Sequence, residues 1–466
     1  SMEADWVMDE WGVEPFHGNG ERVVDDSVAE GEEWSLSDTN ACQARNGRDI
    51  QGIQWDRLHF TRESYRKQRL ADYKNWENLE PLREAGKLYR KCTSLDRSAK
   101  FYSFHYNATR VKSTIVHFQL RNLVACTSKH DVYVMHEHVI SHWYPVTRRI
   151  TPVLNLASKD PQYSHSFDAN RPQNSTVNRR TERTSSTERN TDTEDTRTLN
   201  HFGSLGPVQI STMNAGSGLL IAGGFHGEMV VKNLYSNKIV FGGRITCDDN
   251  AITNALDIYN SSSGALVVSA SNNDKIVRIF DATSFQLTNH VKFPWAVNHT
   301  SISPSRSLMC VVGDDKEGKV VAANDGSEVA VLKGHLDYSF ASAWHPGGHL
   351  FATGNQDMTC RVWDIRQTSE SLAIFKGRMG AVRSLHFSED GKYLAMAEPA
   401  DFVHLIDCEG PRALKQCQEI DLFGEVAGVA FSPDGSALFV GISDRTFGSL
   451  LEYERREHNP ARRILL

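Results

Sequence analysis

Three closely spaced histidines are the most metal-like group in this sequence. His136 and His138 would share one face of a strand, and His142 follows four residues after His138. Two imidazoles on one face of a strand could ligate zinc. No carboxylate or thiol of fixed spacing joins them, however, and surface histidines on a strand explain the pattern more simply. We therefore predict no metal site and keep a metal-binding or catalytic role as the weaker alternative.

Other catalytic patterns are absent from the sequence. The glycine-rich stretches 216–218 and 223–227 do not match the phosphate-binding pattern G-x-x-x-x-G-K-[ST], and no G-x-S-x-G nucleophile motif occurs. The eight cysteines are scattered and include no C-x-x-C pair, which is typical of reduced thiols in the cytosol or nucleus. The sequence predicts a protein that is not an enzyme and that needs no cofactor.

Charge is distributed unevenly along the 466 residues. Residues 1–40 contain twelve acidic residues and one basic residue, so their net charge is -11. The remaining residues sum to +4, which gives a net charge of -7 for the whole chain. Such an acidic leader is typical of a solvated, disordered segment. No apolar run reaches the roughly 18 residues of a membrane helix, and the leader does not resemble a secretory signal. We expect protein partners, with no nucleic acid and no membrane.

A repeat of about 40–45 residues organises the chain from about residue 206 onward. Units end in an apolar or aromatic residue followed by Asp, as at 280–281, 363–364 and 406–407. Four short strands in each such unit are the signature of a β-propeller blade. Seven units begin near residues 113, 206, 250, 295, 336, 381 and 425. The predicted fold is therefore an all-β, seven-bladed propeller.

The last unit lacks its outer strand, and residues 101–106 can supply it from the other end of the chain, which leaves no exposed sheet edge. Residues 155–200 are rich in Ser, Thr and charges and are predicted to be a disordered insertion. The predicted segments are a leader (1–40), an N-terminal extension (41–100) with a helix at about 61–90, a propeller (101–455) and a tail (456–466).

One unit resembles the WD-repeat family most plainly, from Gly334-His335 to Trp363-Asp364. The resemblance implies that His335, Asp357 and Trp363 belong to a hydrogen-bonded tetrad that holds the blade together. The family's Ser or Thr position falls near Ala341, so we expect an incomplete tetrad. These three residues and Asp364 are predicted to be structural.

Four further segments resemble a transducin/WD-repeat group of plants and fungi that includes a plant exportin-interacting WD-repeat protein. They are residues 49–55, 118–123, 293–300 and 398–404. This resemblance implies a scaffold in the nucleus and cytoplasm. An alternative function is therefore that of a shuttling adaptor, which binds an exportin and a nuclear regulatory protein.

Residues 351–366 resemble the sixteen-residue box through which some WD-repeat proteins dock onto the DNA-binding adaptor of cullin-4 ubiquitin ligases. Arg366 is the member of this box that folding does not need, and its guanidinium could make a forked contact with the partner. The resemblance implies a substrate receptor for such a ligase. Residues 61–90 could form a second anchor.

The opposite face of the propeller is predicted to bind the client. Turns that converge around the central opening there would expose aromatic and charged side chains, which are typical of binding hot spots. These residues are Trp295, Asn298, Asp337, Tyr338, Met379, Arg383, Glu398, Asp401, Phe423, Glu425, Asp444 and Arg445.

Overall fold

Short antiparallel strands make up most of the chain. The computed structural model describes residues 37–79, 85–157, 205–246, 248 and 250–456. Most of the predicted leader, insertion and tail lies outside these residues. The described part of the chain contains three α-helices: α1 (Ala41–Arg45), α2 (Arg62–Asp72) and α3 (Ala85–Arg90).

The first fourteen strands are β1 (Thr39–Asn40), β2 (Tyr102–Ala108), β3 (Val124–Ser128), β4 (Asp131–His136), β5 (Val139–Tyr144), β6 (Arg149–Asn155), β7 (Ile210–Gly216), β8 (Leu219–Gly224), β9 (Glu228–Asn233), β10 (Lys238–Arg244), β11 (Thr253–Asn260), β12 (Leu266–Asn272), β13 (Ile276–Asp281) and β14 (Leu287–Lys292).

The remaining strands are β15 (Val297–Ile302), β16 (Leu308–Gly313), β17 (Gly318–Ala322), β18 (Glu328–Leu332), β19 (Ser339–Trp344), β20 (Leu350–Asn355), β21 (Thr359–Asp364), β22 (Ala373–Lys376), β23 (Ser384–Phe387), β24 (Tyr393–Ala397), β25 (Ala400–Asp407), β26 (Cys417–Phe431), β27 (Ala437–Ser443) and β28 (Ser449–Arg455).

Consecutive strands pair into meanders. The strands β3–β6, β7–β10, β11–β14, β15–β18 and β19–β22 each form a four-stranded antiparallel sheet. The others form an eight-stranded sheet in the order β1-β2-β28-β27-β26-β25-β24-β23. The long strand β26 divides this sheet, because its first part pairs with β25 and its second part, from Glu425, pairs with β27. Counted in this way, the described strands make seven units of four strands, and β1 adds a fifth strand to the unit formed by β26, β27, β28 and β2.

The innermost strands close these units into a ring. The strands β3, β7, β11, β15, β19, β23 and the second part of β26 contact one another in that order, and β26 also contacts β3. Buried apolar side chains fill the spaces between neighbouring sheets, as where Met213 and Leu220 pack with Leu123 and Met135. The all-β propeller predicted from the repeat is therefore the observed fold.

The two ends of the propeller pair as predicted. β2 is the outer strand beside β28, with Tyr102 opposite Arg455 and Ala108 opposite Leu450. β1 then pairs with β2, and Thr39 is fully buried. Residues 39 and 40 therefore belong to the sheet, although residue 40 was the predicted end of the leader.

The first unit differs from the prediction. This unit was predicted to begin near residue 113, but residues 115–118 lie in the connection that leads into β3. The four strands of this sheet begin only at Val124. The apolar residues Ile115 and Val116 lie in a partly buried loop, where they pack against the core between two sheets.

The turns of the ring lie at two ends, because neighbouring strands are antiparallel. We call one end the strap face; it contains the connections into the innermost strands and the turns between the second and third strands of each sheet. The far face contains the turns between first and second strands and between third and fourth strands. We call residues 41–100 the strap.

The strap is not one helix over residues 61–90. Thr61 caps α2, as its side chain accepts a hydrogen bond from the backbone of Ser64 at 3.2 Å. The helix ends at Asp72, and the chain then runs extended across the strap face until the described residues break off after Leu79. Its side chains bind the ring there, which replaces helical hydrogen bonds with tertiary ones.

Beyond α3 the strap covers the edges of outer strands. The backbone N–H of Thr93 donates to Ile374 O on β22 at 2.7 Å, and that of Asp96 donates to Lys415 O at 2.8 Å, just before β26. Backbone groups at these two edges are therefore partnered by the chain itself.

Candidate protein-interaction faces

A complete hydrogen-bonded tetrad holds the sheet β19–β22 together. Trp363 Nε1 donates to Thr353 Oγ1 at 2.9 Å, and this hydroxyl lies 2.8 Å from His335 Nε2. His335 Nδ1 lies 3.0 Å from Asp357 Oδ2. The expectation of an incomplete tetrad at Ala341 was wrong, because Thr353 on the neighbouring strand supplies the hydroxyl.

Asp357 is fully buried yet stays acidic. Burial alone would raise its pKa, but the neighbouring His335 and hydrogen bonds from His335, Thr359 and the Leu336 backbone lower it overall. The carboxylate thus fixes the connection into β19 and the turn after β20 at the same time. His335, Asp357 and Trp363 are structural in this geometry.

Arg366 lies on the far face, in the turn between β21 and β22. Its side chain is 68% exposed. Nε donates to Asp364 Oδ1 at 2.9 Å and Nη2 donates to Asp364 Oδ2 at 2.6 Å. Hydrogen bonds from Arg366 lower the pKa of Asp364 to about 2. The guanidinium is therefore exposed, as predicted, but it is already held in one orientation by Asp364.

Most of the predicted client surface is buried. Eight of its residues have less than a tenth of their surface exposed: Trp295, Asn298, Asp337, Met379, Arg383, Glu398, Asp401 and Phe423. Tyr338 and Glu425 are partly exposed, and Asp444 and Arg445 are exposed. The expectation of an open surface was wrong for the first eight, and the strap and the packing of the ring are the physical reasons.

Arginines of α2 cover the side of the strap face formed by β24–β26. Arg66 Nη1 lies 2.5 Å from Asp401 Oδ2, and Arg69 Nη2 donates to Asp401 Oδ1 at 2.9 Å. The Arg66 guanidinium also stacks over the rings of Phe402 and Phe423, at 4.6 and 4.2 Å from the ring centroids. Asp401 and Phe423 therefore bind the strap rather than a client.

The extended part of the strap binds the next sheet in the same way. Asn75 Nδ2 donates to Gln356 O at 2.8 Å, and Gln356 Nε2 donates to Trp76 O at 2.6 Å. The backbone of Asn78 donates to Asp337 Oδ2 at 3.0 Å. A segment of the same chain, the strap, thus covers the part of the sheet β19–β22 that was predicted to bind a client.

The strap also creates a surface that the sequence did not indicate. Trp76 is 44% exposed and lies edge-to-face against Phe118, with ring centroids 6.3 Å apart. Its Nε1 donates to Asn78 Oδ1 at 3.1 Å, and Gln119 Nε2 donates to the same oxygen at 3.2 Å. The sequence shows that Trp76 is an aromatic residue, but the exposure of a side chain cannot be inferred from its residue type alone.

Acidic side chains continue this surface beside Tyr338. Burial raises the pKa of the Tyr338 hydroxyl, and the negative charges of Asp314, Asp337 and Asp315 raise it further. Asp314 is itself bound to Asn298 Nδ2 at 2.8 Å. The partly exposed side of the strap face is thus aromatic at Trp76 and acidic around Tyr338.

The histidine cluster does not form a metal site. His136 ends β4 and His138 lies in the following turn, so the two do not share a strand. His142 Nε2 lies 2.9 Å from Asp131 Oδ1, and His138 Nδ1 lies 2.8 Å from Val208 O. In the described ranges no group of three His, Cys, Asp or Glu side chains could hold a metal ion. No described helix is long and apolar enough to cross a membrane.

Comparison with known proteins agrees with this architecture. Residues 326–364 match the family model described as WD domain, G-beta repeat. Pre-mRNA-processing factor 19 of Oryza sativa is 34% identical over 118 residues, which are 25% of this chain and 22% of that protein. An uncharacterised protein of Schizosaccharomyces pombe is 23% identical over 47% of this chain and 68% of its own length.

A chain in the crystal structure of the Mitotic Checkpoint Complex has the same type of fold. The TM-score is 0.53 at 14% sequence identity, over 74% of this chain and 92% of that one. This chain covers only 22% of the length of the relative from Oryza sativa. Together the repeat match and the closed ring of four-stranded sheets support a WD-repeat protein with the β-propeller fold.

Proposed function

We propose that this protein is a non-catalytic protein-interaction scaffold, most concretely a substrate receptor of a cullin-4 ubiquitin ligase. The observation that carries the proposal is the state of Arg366. Among the described residues its hydrogen bonds go only to Asp364, and its side chain is 68% exposed on the far face. A guanidinium with five N–H donors has others left for an acceptor on a partner.

The pairing with Asp364 favours this use of Arg366. Because the carboxylate fixes the guanidinium, less side-chain entropy is lost when a partner binds than for a free arginine. The exposed pair itself adds little to stability. Arg366 can therefore serve binding without being needed for the fold.

The second anchor that was predicted at residues 61–90 does not fit this geometry. Helix α2 binds Asp401 and Asp421 on the strap face, whereas Arg366 lies on the far face. An adaptor bound at Arg366 would therefore use the far face alone, without α2. In this arrangement the strap face stays available to a client.

The client surface of the proposal is the partly exposed region around Trp76, Phe118, Tyr338 and Asp315. Exposed aromatic side chains beside charged groups are common among binding hot spots. Similar proteins carry names that denote parts of assemblies, such as "Small ribosomal subunit protein RACK1y" of Oryza sativa and "Eukaryotic translation initiation factor 3 subunit I" of Caenorhabditis elegans. We propose that the scaffold acts in the nucleus and cytoplasm.

Co-purification of the cullin-4 adaptor with Arg366 variants tests the proposal. We expect Arg366→Ala and Arg366→Asp to abolish co-purification while the thermal unfolding midpoint stays the same. Arg412→Ala is a matched control, because Arg412 is exposed in the corresponding turn of the next sheet.

Adaptor binding that survives Arg366→Asp would rule out this docking mode. If the adaptor does not bind at all and the nuclear level responds to a block of export, the exportin-binding role is favoured instead. Stoichiometric zinc in protein purified without a His-tag would contradict the absence of a metal site.

A further inference from the structure

Arg383 is a buried cation that has no ion-pair partner among the described residues. It is 4% exposed and directly precedes β23. Nη2 donates to Gln356 Oε1 at 2.6 Å, whereas Nε and Nη1 have no hydrogen-bond partner among the described residues. The guanidinium stacks over the ring of Phe340, 4.1 Å from its centroid. A buried guanidinium that lacks a counter-charge is costly.

A second buried arginine lies beside it. Arg121 Nη2 donates to Glu425 Oε2 at 2.9 Å, and its Nε also lacks a partner in the described part of the chain. Burial and the charge of Arg121 lower the pKa of Arg383 to about 9. Burial and both arginines lower the pKa of His117 to about 4, so this imidazole is neutral at pH 7. Arg121 therefore has a carboxylate bound to it, whereas Arg383 is acted on by the charge of Asp337 without a hydrogen bond to it.

The position of Arg383 does not need a charge for structural reasons. In three innermost strands a small polar residue at the matching bulge donates to a backbone carbonyl of the next innermost strand. These bonds are Ser211 Oγ to Thr253 O (2.6 Å), Asn254 Nδ2 to Val297 O (2.9 Å) and Asn298 Nδ2 to Ser339 O (3.2 Å). Arg383 instead turns back onto Phe340. A neutral polar residue could make the hydrogen bond between neighbouring innermost strands, so the positive charge of Arg383 is not needed for that bond.

Tyr73 of the strap covers this group on the strap face. A Cβ added to Gly380 would lie 2.7 Å from the Tyr73 hydroxyl, so the strap approaches the ring closely here. Tyr73 is only partly buried, and the Glu425 side chain is 36% exposed. The arginines are therefore shielded but lie directly beneath solvent-accessible side chains.

We propose that Arg383 and Arg121 form a binding site for an oxyanion at the strap-face mouth of the central opening. Nε and Nη1 of Arg383 are unpartnered, and the second N–H of Nη2 can form a fork with one of them that matches two oxygens of a phosphate or a carboxylate. Arg121 Nε supplies a further donor. The anion accepts hydrogen bonds from donors that the described chain leaves without a partner. It is either a free inorganic anion or a carboxylate on a partner segment, and this site is independent of the Arg366 surface.

Thermal unfolding of the full chain tests this site. Sodium phosphate and sodium acetate are titrated against sodium chloride of equal ionic strength. We expect phosphate to raise the unfolding midpoint of the unmodified protein, because a ligand that binds the folded state stabilises it. The rise should disappear in Arg383→Met and persist in Arg366→Gln. It should increase in Glu425→Gln, which removes the competing carboxylate.

In chloride alone, Arg383→Met should unfold at the same or a higher temperature than the unmodified protein, because it removes an uncompensated buried charge. A response to phosphate only identifies a free inorganic anion, and a response to acetate as well identifies carboxylate chemistry. No phosphate response, or an equal response in Arg383→Met, overturns the proposal. If Arg383→Met does not fold, Arg383→Lys keeps the charge but loses the fork, and an undiminished response in that variant also overturns it.

Discussion

Arg66 Nη1 lies 2.5 Å from Asp401 Oδ2, and this contact joins the middle of α2 to the start of β25. The Arg66 side chain is 10% exposed and that of Asp401 is fully buried. The same arginine donates to Asp421 Oδ1 at 2.6 Å. The strap is therefore an integral part of the folded propeller.

Arg66→Ala should be strongly destabilising. Removing one partner of a buried ion pair typically costs about 3–5 kcal/mol. Asp401 would keep Arg69 as its one remaining arginine partner, which places the expected cost at the lower end of this range. We expect a loss of about 3 kcal/mol in the free energy of unfolding, measured by urea denaturation. Lys67→Ala is the control, since Lys67 is exposed on the same helix. A loss below about 1 kcal/mol would mean that the strap is held mainly by its other contacts.

The sequence indicated a helix at about residues 61–90, but not the face of the propeller that this region covers. Helical periodicity reports which residues share a side and gives no information about the distant surface they meet. Asp401 and Phe423 were expected in exposed turns, but they lie within β25 and β26. Their burial depends on residues more than 300 positions away, which no local pattern encodes.

Thr353→Val tests the identity of the tetrad hydroxyl. The substitution keeps the shape of the side chain but leaves Trp363 Nε1 and His335 Nε2 without their partner, which should cost about 1–3 kcal/mol. The free energy of unfolding is measured by denaturant titration. Ala341→Ser should not restore stability to Thr353→Val, because Ala341 lies elsewhere in the sheet and pairs with Gly354. If Ala341→Ser did restore the stability of Thr353→Val, the hydroxyl of the tetrad would belong to residue 341.

The repeat and the ring closure through residues 101–106 were predictable, because they rest on local spacing and alternation. Three tetrad members were predictable because one unit resembles the WD-repeat family. The fourth member was not, since Thr353 Oγ1 reaches His335 across the sheet. The exposure of Arg366 was also predictable, because it follows directly from a turn position. Its pairing with Asp364 depends on the conformation of that turn.

Gly313→Ala tests why Trp295 is buried. A Cβ at Gly313 would lie 2.0 Å from Ala296 O and 2.4 Å from the Trp295 ring. Neither neighbour can move freely inside the ring, so we expect a loss of about 2 kcal/mol or more in the free energy of unfolding. Gly243→Ala is the matched control, because its nearest neighbour would be 3.8 Å away. Equal midpoints for the two variants would show that Trp295 packs loosely.

Glu452 should make the stability of the ring closure depend on pH. This residue is 5% exposed on β28, opposite Tyr106 of β2, and accepts a hydrogen bond from Trp143 Nε1 at 2.6 Å. Burial raises the pKa of this carboxyl to about 7 from its ordinary value of 4.5. The folded state therefore holds a proton more tightly than the unfolded chain. Its contribution is fully present below pH 4.5 and is lost as the pH rises through 7.

Glu452→Gln should remove this dependence and keep the bond to Trp143. Between pH 5 and pH 8 we expect the unmodified protein to lose about 3 kcal/mol more than the variant, from the size of the pKa shift. Urea denaturation across that range measures the difference. Glu454→Gln is the control, because Glu454 lies two residues further along β28 with its side chain 63% exposed. Parallel pH profiles for the unmodified protein and Glu452→Gln would show that Glu452 does not change its protonation on folding.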